Sequence, residues 1–372
     1  MKLTLLVKMS PTPEQHQTLL ETMERFNKAC NDIAEVAYQN RLANKWTLHK
    51  LVYYRIREQY GLSAQMTVRA ISKVVEAYKR DKRIKPIFNP HGAMVYDERI
   101  LSWKGLDRVS ILSLKGRLLI SISIGPYQEA RLDRKVRQAD LIFRKGVFYL
   151  AVVLDAPEPT PYEPKDWLGV DLGVKNIAVD SDGQGWSSGH LNGLRSRHAK
   201  LRARLQSKDT KSAKRLLKKR SGKERRFATA VNHLISKKIV EKAKDTLRGI
   251  ALENLKGIRT RVSVNGSRQR RTIHSWGFNQ LRAFVEYKAK LVGVPLLLVN
   301  PRNTSRTCPA CGYIAKGNRN GESFSCQECG FAGAADHIAA ENIRRVAVNR
   351  PHISIGEHFL LPPSGTSLPL QG

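Results

Sequence analysis

Acidic residues are scarce in this chain. Its 372 residues hold 32 Asp and Glu against 65 Lys and Arg, a formal net charge of +33. Such an imbalance is self-repelling unless a polyanion is the partner. Nucleic acid, whose phosphates shed counterions when neutralised, is the first reading. An anionic membrane surface is the second, and a basic structural protein of the ribosome the third. Long hydrophobic runs are also lacking. The longest, such as 292–299, fall far short of the ~20 residues a spanning helix needs. No membrane partner is expected, and no small-molecule substrate. The opening MKLTLLVKMSPTPEQ has a short apolar stretch broken by Lys8 and no small-residue cleavage site. It does not read as a signal peptide, and a cytoplasmic protein, associated with the nucleoid when bound to DNA, is expected. Cysteine is sparse: Cys30 stands alone and four others lie in two pairs near the C-terminus. That pattern argues against a disulfide framework and suits a metal in a reducing compartment. What is present suffices for a fold. Hydrophobic residues make up 41%, enough for a packed core, and the length allows two or three domains.

Residues 2–9 read as a strand. Residues 13–40 read as a helix, because Leu19, Met23, Phe26, Cys30, Ile33 and Ala37 recur at three- and four-residue steps. Cys30 on that stripe reads as a small core residue. Further helices are expected over about 47–60 and 64–82. From about 94 to 154 the period falls to two, in ILSW, VSILSL, RLLISISI, ADLIFR and VFYLAVVL, with glycines between, which predicts a small antiparallel barrel or sandwich that strand 2–9 could join. The segment 156–166, with four prolines, reads as a linker. Strands are then expected at 167–171, 174–179, 248–253 and 295–299. Helices are expected at about 195–220, 224–246, 275–291 and 336–347. Strands alternating with helices predict an α/β domain. The tail 349–372 reads as loose.

The sequence TCPACGYIAKGNRNGESFSCQECG sets Cys308 and Cys311 two residues apart, then fourteen residues, then Cys326 and Cys329. A Gly after each C-x-x-C lets the backbone turn so that both thiolates face one ion. Four thiolates satisfy tetrahedral zinc and leave no open position, so the predicted site is structural. A redox pair is the alternative, but such motifs come singly.

Three carboxylates stand at element ends. Asp171 closes the strand in WLGVDLGVKNIAVD, ahead of Gly173, which permits a sharp turn. Glu253 ends the apolar strand of GIALENLKG. Asp336 opens the helix of GAADHIAAENI. Each has a plain explanation by itself: a turn, a surface strand end, and an N-cap. Together they match a different need. Two Mg²⁺ ions ~3.5–4 Å apart require several hard oxygen ligands to hydrolyse a phosphodiester. An RNase H-type domain supplies them from a first strand, a neighbouring strand and a C-terminal helix, in that order. Mn²⁺ is an alternative ion. Asp180 and Asp182 read as hairpin-turn residues.

The segments GVDLGVKNIAV, ALENLKG, YKAKLVGVPLLLVNPRNTSRTCPACG, FSCQECG and ADHIAAENI resemble the TnpB family of nucleases encoded by insertion sequences, which is related to the type V CRISPR effectors. The resemblance covers roughly 165–345. It implies an RNA-guided endodeoxyribonuclease with a RuvC-like (RNase H fold) α/β nuclease domain, at 167–304 and 334–348. A zinc ribbon at 305–333 would be inserted in it. A wedge-type β-barrel at 1–10 and 86–155 would carry a helical recognition insertion at 11–85. The implied partners are a guide RNA and double-stranded target DNA, with pairing supplying specificity. The family's catalytic carboxylates map onto Asp171, Glu253 and Asp336, and its zinc ligands onto Cys308, Cys311, Cys326 and Cys329. One departure is Ile338, where the family commonly has Asn. That change is expected to weaken local hydrogen bonding.

Residues 195–226 contain fifteen Lys or Arg and two acids. A solvated face is the ordinary reading of such a run. Lying between two site strands, it reads better as a nucleic-acid path, with Arg202, Arg204, Lys214, Arg215, Lys218, Lys219 and Arg220 as candidate contacts. His190, His198, His233 and His274 are expected to be surface or core residues and not ligands. The rival functions are a compact type V CRISPR effector, an unguided transposase or resolvase, and a non-catalytic nucleic-acid-binding regulator.

Overall fold

The computed structural model describes residues 1–132, 138–255 and 277–349. The chain divides into two compact units, Met1–Pro157 and Glu158–Gly372. The tail expected at 349–372 lies, beyond its first residue, outside the described residues. Among the described residues no helix is long and apolar enough to cross a membrane.

The first unit opens with strand β1 (Lys2–Ser10) and three helices, α1 (Pro13–Gln39), α2 (Lys45–Tyr60) and α3 (Ala64–Arg80). Each start is written locally. Thr12 and Gln15 form a reciprocal capping box with Pro13 in the first turn, Asn44 caps α2, and Ser63 caps α3; all three are ways of satisfying the first amide donors. Gly61 ends α2 at φ 59°, a left-handed position that glycine adopts without strain. The expected stripe of α1, Leu19 to Ala37 with Cys30, is buried in the core. Burial pushes the Cys30 thiol up to about 12, so it stays protonated and inert.

Six more strands follow: β2 (Met94–Asp97), β3 (Leu101–Lys104), β4 (Arg108–Ser113), β5 (Gly116–Ser123), β6 (Gln138–Arg144) and β7 (Val147–Asp155), with the one-turn helix α4 (Pro126–Glu129) after β5. They join β1 in one antiparallel sheet of order β2-β6-β7-β1-β5-β4-β3. The order itself bends the sheet. β2 and β3 lie at its two ends, about 28 Å apart if it were flat at the usual strand spacing. Yet only residues 98–100 separate them in the chain, a reach of at most ~14 Å. The sheet must therefore curl, bringing its two end strands toward each other. β2 had no separate sequence signal; its four residues are too few to show alternation.

The second unit carries β8 (Trp167–Asp171), β9 (Asn176–Asp180), β10 (Gly185–Ser187), α5 (Gly189–Lys208), α6 (Lys211–Arg220), α7 (Lys223–Asp245), β11 (Gly249–Glu253), α8 (Phe278–Val292), β12 (Leu296–Val299), β13 (Arg319–Asn320), β14 (Ser323–Ser325), β15 (Ala332–Ala334) and α9 (Ala335–Val348). The main sheet has the order β10-β9-β8-β11-β12. β8, β11 and β12 run parallel, and β9 turns back antiparallel on β8. The proline-rich segment before β8 is strapped down: the Tyr162 hydroxyl donates to the carbonyls of Arg248 at 2.9 Å and Ala243 at 3.3 Å.

One expected helix is two. The stretch 195–220 breaks at Asp209, held at φ 43°, and restarts where Thr210 caps α6 through its hydroxyl. An Asp–Thr pair breaks and re-caps a helix with little cost, since Asp tolerates the left-handed region and Thr is a good cap. β10 was not foreseen, three residues being too short to read.

Close packing of α9 on the sheet sets the site. A Cβ placed on Gly169 would lie 2.1 Å from the Ala340 carbonyl oxygen and 2.6 Å from the Arg344 amide nitrogen. Only glycine at this position of β8, against the backbone of Ala340 and Arg344 in α9, lets strand and helix approach this closely.

Candidate active site

The register of the parallel strands brings two carboxylates together. Leu252 of β11 lies opposite Val170 of β8, so Glu253 and Asp171, the next residues, end neighbouring strands at the same edge. Carboxyl ends of parallel strands are where open α/β sheets place their sites. Asp336 reaches the same place from the first turn of α9. Asp171 feels both of the others. Burial raises the Asp171 carboxyl, and the like charges of Glu253 and Asp336 raise it further, to about 8. Burial also raises Glu253. A cluster of this kind is costly while metal-free and suits a bound cation.

Asp336 is not an N-cap. The cap position of α9 is Ala334, with no side-chain cap. The Asp336 carboxylate instead accepts from Asn176 Nδ2 at 3.0 Å and from Arg319 Nη2 at 2.7 Å. Its place in the first turn also favours negative charge.

Two residues at this site carried no sequence signal. Arg319, on β13, pairs with Asp336 and lowers both Asp171 and Glu253 by its charge. Thr304, 4% exposed, donates its hydroxyl to Glu253 Oε1. Arg319 is one arginine among many, and Thr304 lies in a polar loop; only folding the ribbon onto the sheet reveals either.

The cysteines are arranged differently. Cys308, Cys311, Cys326 and Cys329 have Sγ atoms that all lie within 4.8 Å of one another, the one set of three or more such ligands this close among the described residues. As a set the carboxylates are wider. The Sγ pairs Cys308–Cys329 and Cys311–Cys326 are each 3.6 Å apart. Zinc–thiolate bonds of ~2.3 Å in a tetrahedron place sulfurs ~3.8 Å apart, so the donor set fits zinc. The backbone amides of Cys329 and Glu328 lower the Cys326 thiol, while the neighbouring sulfurs raise Cys311. Asn318, 1% exposed, knits the ribbon: it donates to the Arg306 and Tyr313 carbonyls and accepts from the Gln327 amide.

Ile338 has a packing explanation. It forms a small core with Cys308, Phe324, Cys326 and Ala335, so ribbon and α9 share one apolar seam.

Asp180 and Asp182 are turn residues, as expected, and more. The buried Asp180 accepts from the Asp182 and Gln184 amides and pairs with Lys242 at 2.6 Å. Asp182 accepts a two-point bond from Arg248, whose guanidinium holds that carboxyl well below its usual range. The network ties the β9–β10 turn to α7 and β11.

The basic helices bury little: Leu191 and Leu205 in α5, and Ala213 alone in α6. Arg202, Arg204, Lys214, Arg215, Lys218 and Lys219 are exposed, and Arg220 is half-buried. Arg202 faces Glu224 at 3.6 Å and Lys214 faces Asp209 at 2.7 Å, while Arg220 contacts His198. His190 packs near Phe227 and His233 stacks on Phe284 at 3.8 Å. His274 lies outside the described residues.

Parts of the chain are similar to known proteins. Residues 278–343 match the domain described as Cas12f1-like, TNB domain. A TnpB-like protein of Methanocaldococcus jannaschii is 27% identical over 258 residues, covering 64% of this chain and 90% of that protein. The CRISPR-associated endodeoxyribonuclease Cas12f1 of Syntrophomonas palmitatica is 28% identical over 230 residues, covering 57% of this chain and 43% of that one. The chain therefore matches less than half the length of that nuclease. Among solved structures, a Cas12f1–sgRNA–target DNA complex aligns with a TM-score of 0.60 at 16% identity, covering 88% of this chain and 83% of that chain. The likeness is one of fold, that of a compact Cas12f-type effector.

Proposed function

We propose that the chain, similar to TnpB-like proteins and Cas12f1 nucleases, is a member of the TnpB family and an RNA-guided DNA endonuclease of a transposable element, with guide RNA and duplex target DNA as its partners. The observation that carries the reading is the convergence of three acids: Asp171 and Glu253 end neighbouring strands, and the charges of Glu253 and of Asp336, at the start of α9, both raise Asp171. These three acids are the proposed Mg²⁺ ligands of a RuvC-like nuclease domain, and the four cysteines the ligands of structural Zn²⁺. The curled sheet is the proposed wedge domain, α1 to α3 its recognition insertion. The cytoplasm is the proposed location.

The hard oxygens of the trio suit divalent cations, which would polarise the scissile phosphate and lower the pKa of an attacking water. The protein's own groups do the rest. Asn176 and Arg319 fix the Asp336 carboxylate, and Thr304 fixes that of Glu253. Arg319 brings a cation to the site that would offset charge developing on the phosphate oxygens. The exposed lysines and arginines of α5 and α6 neutralise backbone phosphates without reading sequence, which leaves specificity to guide pairing.

The reading is tested by purifying the protein with co-expressed RNA, sequencing that RNA, and assaying a matched duplex with Mg²⁺. A discrete bound RNA that directs cleavage of the matching DNA is expected. Protein free of RNA, or cleavage indifferent to the match, contradicts it.

A further inference from the structure

β11 and β12 pair in parallel, with Glu253 opposite Val299. The chain then turns back at once. Asn303 sits at φ 64°, a left-handed position that Asn tolerates better than most side chains, and its carbonyl accepts from the Arg306 and Thr307 amides. This turn delivers Thr304, five residues past Val299, onto the Glu253 carboxylate.

Thr304 has one proton and two acceptors, Glu253 Oε1 and the Pro301 carbonyl at 3.1 Å. An ionised carboxylate is the stronger acceptor. The hydroxyl thereby anchors one oxygen of a buried Glu253. The turn is itself held from α9. Asn342, 5% exposed, donates from Nδ2 to the carbonyls of Thr304 and Thr307, each at 2.8 Å. Asn342 lies six residues after Asp336 on one rigid helix. The same helix therefore carries one carboxylate and, through Asn342 and Thr304, holds a second. Thr307 adjoins Cys308, so the clamp also ends where the cysteine cluster begins.

We propose that Thr304 is a positioning residue for Glu253, locked by Asn342, and that it sets the affinity of the carboxylate site for divalent cations. The proposal rests on the reading of Glu253 as a metal ligand. Outer hydrogen-bond partners of metal ligands change affinity by ~10–100-fold when removed.

The test uses the full chain with its RNA and titrates Mn²⁺ by calorimetry, alongside zinc content and melting temperature. Thr304→Val keeps the shape and removes the hydroxyl; Thr304→Ser keeps the hydroxyl. Thr304→Val is expected to weaken Mn²⁺ binding ~10-fold with zinc retained, and to raise the Mg²⁺ concentration for half-maximal cleavage by a similar factor. Thr304→Ser is expected to stay within about twofold of the parent. A merely structural threonine would lower the melting temperature and leave both titrations unmoved. Unchanged Mn²⁺ affinity in Thr304→Val overturns the proposal, as does a Thr304→Ser protein as weak as Thr304→Val. Glu253→Gln separates the two levels: if it lowers Mn²⁺ affinity while Thr304→Val does not, the proposal fails and the site reading stands. If Glu253→Gln also has no effect, both fall.

Discussion

The two candidate metal sites of the second unit contrast in construction. The cysteine site comes from one stretch of 22 residues, 308–329, and its four sulfurs already lie within 4.8 Å of each other. The carboxylate site draws on two strands and a helix spread over 166 residues, 171–336. The charges of Glu253 and Asp336 raise Asp171, and Arg319 offsets them. A site made of thiols can close without its metal, since neutral thiols do not repel. A site made of carboxylates must be held open by the surrounding fold and a counter-cation. The ribbon serves both: it carries the cysteines and supplies Arg319, and the turn leading into it supplies Thr304.

Breaking the carboxylate side should have the largest effect. Asp171→Ala, Glu253→Ala and Asp336→Ala should each lower cleavage by roughly a thousandfold or more, by analogy with the loss of a metal's full contribution to catalysis, while guide RNA still copurifies. Single-turnover cleavage beside an RNA-binding assay measures both. Breaking the cysteine side should also reach the carboxylates. Cys308→Ser, or removal of zinc by a chelator, should lower the melting temperature and abolish cleavage, because structural zinc contributes folding energy and Arg319 rides on the ribbon. Zinc content by atomic emission should be one ion per chain.

Arg319→Ala sharpens the comparison, because it should move two readouts in opposite directions. Cleavage should fall ~100-fold, the scale of losing one charge-stabilising donor. Mn²⁺ binding to the resting protein should tighten, because a competing cation has gone. Loss of both would make Arg319 a brace for the fold.

The smallest expected effect concerns stability. The Asp171 carboxyl stands at about 8 in the folded protein and ~4 when unfolded. Between those values the folded chain binds the extra proton, so metal-free stability should decline as pH rises from 4 to 8. Asp171→Asn removes the charge and should melt ~2–5 °C higher than the parent at pH 8 in chelator, a change of about 1–2 kcal/mol. With Mg²⁺ present the order should reverse. Scanning calorimetry at pH 5 and pH 8 checks both signs.

The contrast also governs what could be read in advance. Four cysteines at C-x-x-C spacing name their own site, because the ligands are neighbours in sequence. The helices of the first unit were legible because stripes such as Leu19 to Ala37 record burial at a fixed period. The carboxylates could be listed, but each alone was an ordinary turn, strand end or cap. Asp336 showed how weak such single readings are: helix position favoured a cap, and the structure gives it Arg319 and Asn176 instead. Arg319, Thr304 and Asn342 left no pattern, since their roles depend on contacts between segments. Likewise β2, β10 and the break at Asp209 are too short for periodicity to register. Ile338 read only as a departure in hydrogen bonding, and its packing in the seam between ribbon and α9 could not be seen, because a sequence cannot say that the ribbon folds over that side chain.

The most direct test of the central claim is cleavage of a duplex matching the copurified RNA, with Mg²⁺, by the parent and by Asp171→Ala at equal RNA loading. The account predicts cutting of the matched duplex alone by the parent, and none by the variant. Cleavage by Asp171→Ala at the parent's rate, or equal cutting of an unmatched duplex, would contradict it.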